Sequence, residues 1–287
     1  MKLGVVFPQT EIGTDPVAIR DYLQAVEEMG YDHVVLFDHV VNADTSTRPG
    51  WAGAYRLGDQ FHEPFVTFGY AAAVTKRLGL VTGVVILPQR QTALVAKQAA
   101  AVDVLSGGRL RLGVGVGWNE VEYEALGADF DTRGKHQEEQ IEVLRALWTR
   151  RSVTFEGRWH RLDRVGLDPP PVQRPIPIWL GGRSDATLAR VAAIADGWFP
   201  MGPLDAAMRA SLERVRALAA EAGRDTAAIG VEAAISIARD PEREWRGIAD
   251  AWNGVQATHL MVNTMRAGLR TPDDHIEAVR RVRAALV

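Results

Sequence analysis

The 287-residue chain contains no cysteine. Disulfides, thiolate-held zinc, iron–sulfur clusters and thiol nucleophiles are therefore excluded together. There is no large excess of charge: 33 Lys+Arg against 36 Asp+Glu leave a formal net charge of −3. That argues against a generally basic nucleic-acid surface. Long apolar runs are missing too. The longest, Leu78 to Pro88, is too short to cross a bilayer and is interrupted by Gly79, Gly83 and Pro88. The stretch Met1–Pro8 lacks the apolar segment and small-residue cleavage site of a signal peptide, so a cytoplasmic location without membrane partners is expected. HExxH is absent, and no two of the seven histidines stand at metal-ligand spacing, so no metal site is expected.

What remains is ordinary globular material, 47% hydrophobic and 24% charged. Short β-rich runs alternate with amphipathic helices. Strands are expected at Leu3–Phe7, His33–Phe37, Leu80–Leu87, Leu110–Gly115, Ile176–Leu180, Gly197–Pro200, Ile229–Ile237 and His259–Val262. Helices are expected from Asp15, over Pro64–Lys76, Gln91–Leu105 and Gly134–Trp148, from Ser184, over Pro203–Ala222, from Asp240-Pro241 and from Thr271-Pro272. Val153–Phe155 and Trp159–Leu162 read as a hairpin, followed by a proline-stiffened connector. Apolar runs such as Val84-Val85-Ile86-Leu87 suit strands buried on both faces. Eight strand–helix units predict a (β/α)8 TIM barrel over 1–287 as a single domain, with insertions after strand 2 and after helix 4. An open doubly wound sheet is the competing architecture.

In a barrel the residues just after each strand carry the chemistry. His39 ends the second strand and can act as general acid/base or hydrogen-bond a cofactor. Equally, it can simply close the strand. Asp38 can orient the imidazole or cap a loop. Gly181-Gly182-Arg183-Ser184 leads a strand into a helix and offers free N–H groups to a phosphate, though an ordinary N-cap explains it as well. Gly113, Gly115 and Gly117 alternate without the GxGxxG spacing of a dinucleotide site. They leave a bare face that either a flat ring or a neighbouring layer can approach. Trp118 and Asn119 add an aromatic wall and an amide. The loop 39–62, with Trp51, Tyr55, Phe61 and His62, reads as a substrate-side cover. Arg90 and Arg133 are candidate anion binders or plain surface charges.

Together these stretches resemble the luciferase-like flavin/deazaflavin oxidoreductase family. The resemblance is carried by Leu3–Pro8, Phe37-Asp38-His39, Thr82–Pro88, Leu105–Arg109, Gly113–Asn119, Phe155-Glu156-Gly157 and Ile178–Ser184. It implies a barrel with the cofactor ring at the mouth, against a third-strand bulge at Gly83 and Val84, where relatives often have a non-proline cis peptide. It implies a phosphate turn at Gly181, Gly182 and Ser184 with Arg183 beside it, and cofactor contacts from Asp38, His39, Gly117 and Asn119. Trp51, Tyr55 and Trp118 would face the substrate, His39 would be catalytic, and the protein would be a homodimer. The branch it most resembles uses coenzyme F420 to move a hydride to or from a small organic substrate. An FMN-dependent monooxygenase is the alternative, and a non-catalytic flavin-binding protein the second alternative. Two departures stand out. Trp118 replaces an acid found in deazaflavin sugar-phosphate dehydrogenases, and Val84–Pro88 is one residue longer than in those relatives.

Overall fold

The structure, a computed structural model, describes all residues 1–287. Six of its nine α-helices begin where a side chain satisfies a free backbone N–H. Asp15 accepts from the Val17 N–H and Pro16 sits in the first turn, so α1 (Pro16–Glu28) starts there. Glu63, Asn119, Ser184, Asp205 and Thr271 cap α2 (Pro64–Val74), α4 (Glu120–Ala125), α6 (Asp185–Ile194), α7 (Ala206–Glu221) and α9 (Pro272–Leu286) in the same way. The remaining helices are α3 (Thr92–Ser106), closed by Gly107 in the left-handed region, α5 (Arg133–Thr149) and α8 (Trp245–Gly254).

The strands are β1 (Lys2–Val6), β2 (His33–Leu36), β3 (Gly79–Thr82), β4 (Val85–Ile86), β5 (Leu110–Gly115), β6 (Val153–Glu156), β7 (Arg161–Val165), β8 (Ile178–Gly181), β9 (Gly197–Phe199), β10 (Gly230–Ser236) and β11 (His259–Asn263). All pairings but one are parallel, in the order β3-β2-β1-β11-β10-β9-β8-β5-β4, and a further β3–β5 pairing closes the ring. With β3 and β4 as two parts of one strand, this is the eight-stranded (β/α)8 barrel expected. The antiparallel exception, β6–β7, is the hairpin after α5, the barrel's fourth helix.

Four elements differ from the expectation. The third strand is not continuous from Leu80 to Leu87. Val81 pairs with Arg111 and Val85 with Val114, so four steps on one strand meet three on the other. That is a one-residue bulge. The Gly83–Val84 peptide within it is cis. The hairpin's second strand is shifted C-terminally to Arg161–Val165, because the N–H groups of Arg158, Trp159 and His160 turn to the Glu139 carboxylate on α5. Asp240-Pro241 opens only a 3-10 turn before α8. Finally, α4 has no counterpart in the reading above.

Two cores result. The larger one fills the space between barrel and helices. Inside the barrel lie Val6, Val35, Val81, Trp179, Phe199, Met261 and Met265. The barrel base is polar. Buried Glu232 takes His33 Nε2 at 2.9 Å and Arg111 Nη2 at 2.6 Å, and Arg111 lies 4.1 Å over the Trp179 ring. Gly4 makes room for His33, since a Cβ there would sit 2.2 Å from the imidazole. No helix is long and apolar enough to cross a membrane.

Candidate functional site

The C-terminal ends of β2, β4, β5 and β8 converge on a cleft of ≈ 360 Å³. Its floor is the bulged third strand. Gly115 and Gly181 stand across from Val84, where an added Cβ would approach the valine to 2.6 and 3.0 Å. Gly113 is set deeper, against the Thr82 carbonyl, so neighbouring-layer contact accounts for Gly113 and Gly115. Gly117 lies beyond the strand end with φ +67° and lines the cleft.

Asp38 and His39 both line the cleft, but they do not act on each other. Asp38 accepts from Arg90 Nη2 at 2.7 Å and from the Ile86 N–H at 3.1 Å, tying β2 to β4. Arg90 also reaches Glu63 at 3.0 Å, which leaves it no anion-binding role. Burial pushes the Asp38 carboxyl above its ordinary value, against the pull of Arg90.

The partner of His39 is Glu122, on the unforeseen α4. His39 Nδ1 lies 3.2 Å from Glu122 Oε2, and Oε1 accepts the Val40 N–H at 2.5 Å and the Val41 N–H at 3.3 Å. Burial pushes the Glu122 carboxyl up. The hydrogen bonds from His39, Val40 and Val41 outweigh it, and its pKa falls below the ordinary value. A usable signal was present in the sequence: Asn119 followed three residues later by Glu122 is a capping pattern. Asn119 caps α4 and its amide reaches Glu122 at 3.4 Å.

Aromatic rings surround the imidazole. Tyr55, Phe61 and Trp118 lie edge-on at 5.0, 4.7 and 6.0 Å between centroids. Tyr55 and Trp118 line the cleft. Trp51 does not; it packs against Trp118 at 5.8 Å, one layer out.

At the opposite wall, Gly181, Gly182, Arg183 and Ser184 line the cleft as β8 runs into α6. Gly182 has φ +124°, and Ser184 is indeed the helix cap, its Oγ accepting from the Thr187 N–H at 3.2 Å. The first-turn N–H groups and the exposed Arg183 offer donors and positive charge at this end, offset in part by Asp185 in the same turn. Gln89 stands just past the third strand, among the strand-end positions where chemistry is expected, though nothing in the sequence marks its amide. It lines the cleft, is buried, and its Nε2 has no partner in the chain. No group of three or more His, Cys, Asp or Glu side chains is arranged to hold a metal ion.

A model of the family described as luciferase-like monooxygenase matches residues 1–285. An uncharacterized protein of Mycobacterium tuberculosis is 37% identical over 224 residues, 76% of this chain and 77% of the relative. The FMNH2-dependent dimethylsulfone monooxygenase of Pseudomonas fluorescens is 35% identical over 195 residues, 67% of this chain and 52% of its own length. Among solved structures, the coenzyme F420 dependent tetrahydromethanopterin reductase of Methanopyrus kandleri superposes with a TM-score of 0.77 over 99% of this chain and 98% of that one, at 15% identity. A monooxygenase of Streptomyces bottropensis gives 0.76 over 100% and 98%, at 19% identity. At such identities the structural likeness speaks to the fold.

Proposed function

The chain belongs to the luciferase-like monooxygenase family, and from that membership we propose that the cleft binds a flavin-type redox cofactor, coenzyme F420 in the first reading, and serves hydride transfer with a small organic substrate. The observation that carries this is Gln89. A buried amide donor without a partner is costly unless a ligand completes it. It lies in one cleft with a glycine-lined floor and a positive helix end. That combination fits an elongated molecule with a polar ring and an anionic tail. Gly117, Gly181 and Val84 would hold the ring, and Gly182, Arg183, Ser184 and the N-terminus of α6 the tail.

When bound, the cofactor supplies the centre that gives or accepts a hydride. The chain supplies position and a dry wall. The Asp38–Arg90 pair fixes the end of β2, and so the backbone that carries His39. His39 presents an imidazole to the reacting face and is the group suited to hold or move a proton there. Tyr55 and Trp118 exclude water from that face.

A second reading, an FMN-dependent monooxygenase, is favoured by the 35% identity to an enzyme of that description. Titrating the purified protein with F420 and with FMN, followed by cofactor fluorescence, separates the two. The first reading expects F420 to bind. FMN binding without F420 binding overturns it in favour of the second, and binding of neither overturns both.

We also propose a homodimer. Helices α2 and α3 pack side by side and turn Val66, Tyr70, Leu94 and Leu105 outward, at 73%, 37%, 52% and 66% exposure. An apolar surface of this kind suits burial against a second copy.

A further inference from the structure

We infer that Glu122 is the positioning residue for His39: it holds the imidazole as the Nδ1–H tautomer, so that an unprotonated Nε2 faces the cleft as a hydrogen-bond acceptor. The donors around the Glu122 carboxylate fix this. Glu122 Oε1 receives two backbone N–H groups, from Val40 and Val41, and Oε2 receives the Asn119 amide. None of these can do anything but donate. An ionised carboxylate has no proton to return, so the fourth neighbour, His39 Nδ1, must donate too. In the neutral imidazole, with one ring nitrogen committed as N–H, the other carries a lone pair. Nε2 makes no hydrogen bond within the chain and is not among its sealed polar atoms, so it opens to the cleft that His39 lines.

The clamp is also mechanical. Glu122 is buried, and it grips three consecutive residues, 39 to 41, at the root of the long loop. The edges of Tyr55, Phe61 and Trp118 then bound the plane of the ring. Asp38, the neighbour that sequence adjacency suggests, is engaged by Arg90 and the Ile86 N–H. The significance for a ligand rests on the cleft being the functional site proposed above; the tautomer itself does not.

The test is a 15N ring spectrum of the full-length protein labelled at histidine, with His39 assigned by loss of its signals in His39→Gln. A pyrrole-type Nδ1 and a pyridine-type Nε2 are expected in the unliganded wild type. A protonated Nε2, or one averaged signal for both nitrogens, overturns the inference. In Glu122→Gln the carboxamide oxygen can keep the Val40 and Val41 bonds while its NH2 faces Nδ1. Loss of the Nδ1–H signal in favour of Nε2–H is expected, and an unchanged Nδ1–H overturns the assignment to Glu122. Should that variant not fold, the wild-type spectrum still decides the tautomer, and Glu122→Asp, which keeps the acceptor, should retain Nδ1–H; an Nε2–H signal there counts against Glu122. F420 and FMN titrations of the same samples separate this result from the cofactor reading, since the tautomer is read without either.

Discussion

Glu232→Gln removes one charge from the barrel base while keeping the side chain's shape. The wild-type carboxylate is buried and shared between His33 and Arg111, at 2.9 and 2.6 Å. Burial raises its pKa, but the His33 and Arg111 charges overcome this and hold it at about 2. Without that charge the Arg111 guanidinium has only the Trp179 and Phe199 ring faces as partners in the barrel. Breaking a buried pair from one side costs about 3–5 kcal/mol. An unfolding entropy of about 2.1 cal/mol/K per residue gives about 0.6 kcal/mol/K for this chain. The melting temperature should therefore fall by about 5–8 °C at pH 7. Calorimetry measures it, and a fall under about 1 °C would refute the reasoning. The charge-free double variant Glu232→Leu/Arg111→Met should recover much of the loss, because buried pairs are replaceable by packing. The same cluster gives a pH signature. Burial, then the Arg111 charge, holds His259 down to about 3, so between pH 6.5 and 3 the unfolded chain takes up a proton that the folded chain refuses. Stability falls as pH falls through that window. Glu232 adds a loss of the same sign between its ordinary 4.5 and about 2. In Glu232→Gln the lower part of this acid slope should flatten.

Four other outcomes are expected. Gln89→Leu should weaken binding of whichever flavin the protein takes by about tenfold in a fluorescence titration, with little change in melting temperature, since the amide has no internal partner. Asp38→Ala should lower the melting temperature by about 2–5 °C, because the Ile86 N–H loses its acceptor while Arg90 keeps only Glu63. Leu94→Glu with Leu105→Glu should convert a dimer to a monomer in light scattering. Glu139→Ala should raise hydrogen exchange at Arg158, Trp159 and His160 by at least about tenfold and leave the melting temperature within about 2 °C, because the bonds lost hold only the hairpin.

The barrel was legible because its signal is repetition. Eight apolar runs, each followed by a capped or periodic helix, leave few topologies, and His33 at a strand start could be placed at the base, where it lies. What stayed hidden was local or long-range. α4 spans six residues, too few to show a helical period. The His39–Glu122 pair joins positions 83 apart in sequence, so adjacency pointed to Asp38 instead. Arg90 resembled a surface cation because the two carboxylates that hold it, Asp38 and Glu63, sit on other elements. Gln89 carried only a positional signal, just past the third strand; the burial of an unmatched amide is what singles it out.

The extra residue in the third strand has a consequence for how this wall of the cleft can change. Side chains alternate along a strand, so one added residue reverses the phase of everything after it. Leu80 looks outward and Val81 inward, yet Val85 and Leu87 join the outer core, while Val84 and Ile86 look inward. Counting, rather than residue chemistry, decides which half of an otherwise uniform aliphatic run meets a ligand. Straightening the strand at constant length would turn the run over like a ribbon and exchange the cleft's side chains, whereas deleting Gly83 together with the bulge would leave Val84 and Ile86 facing inward.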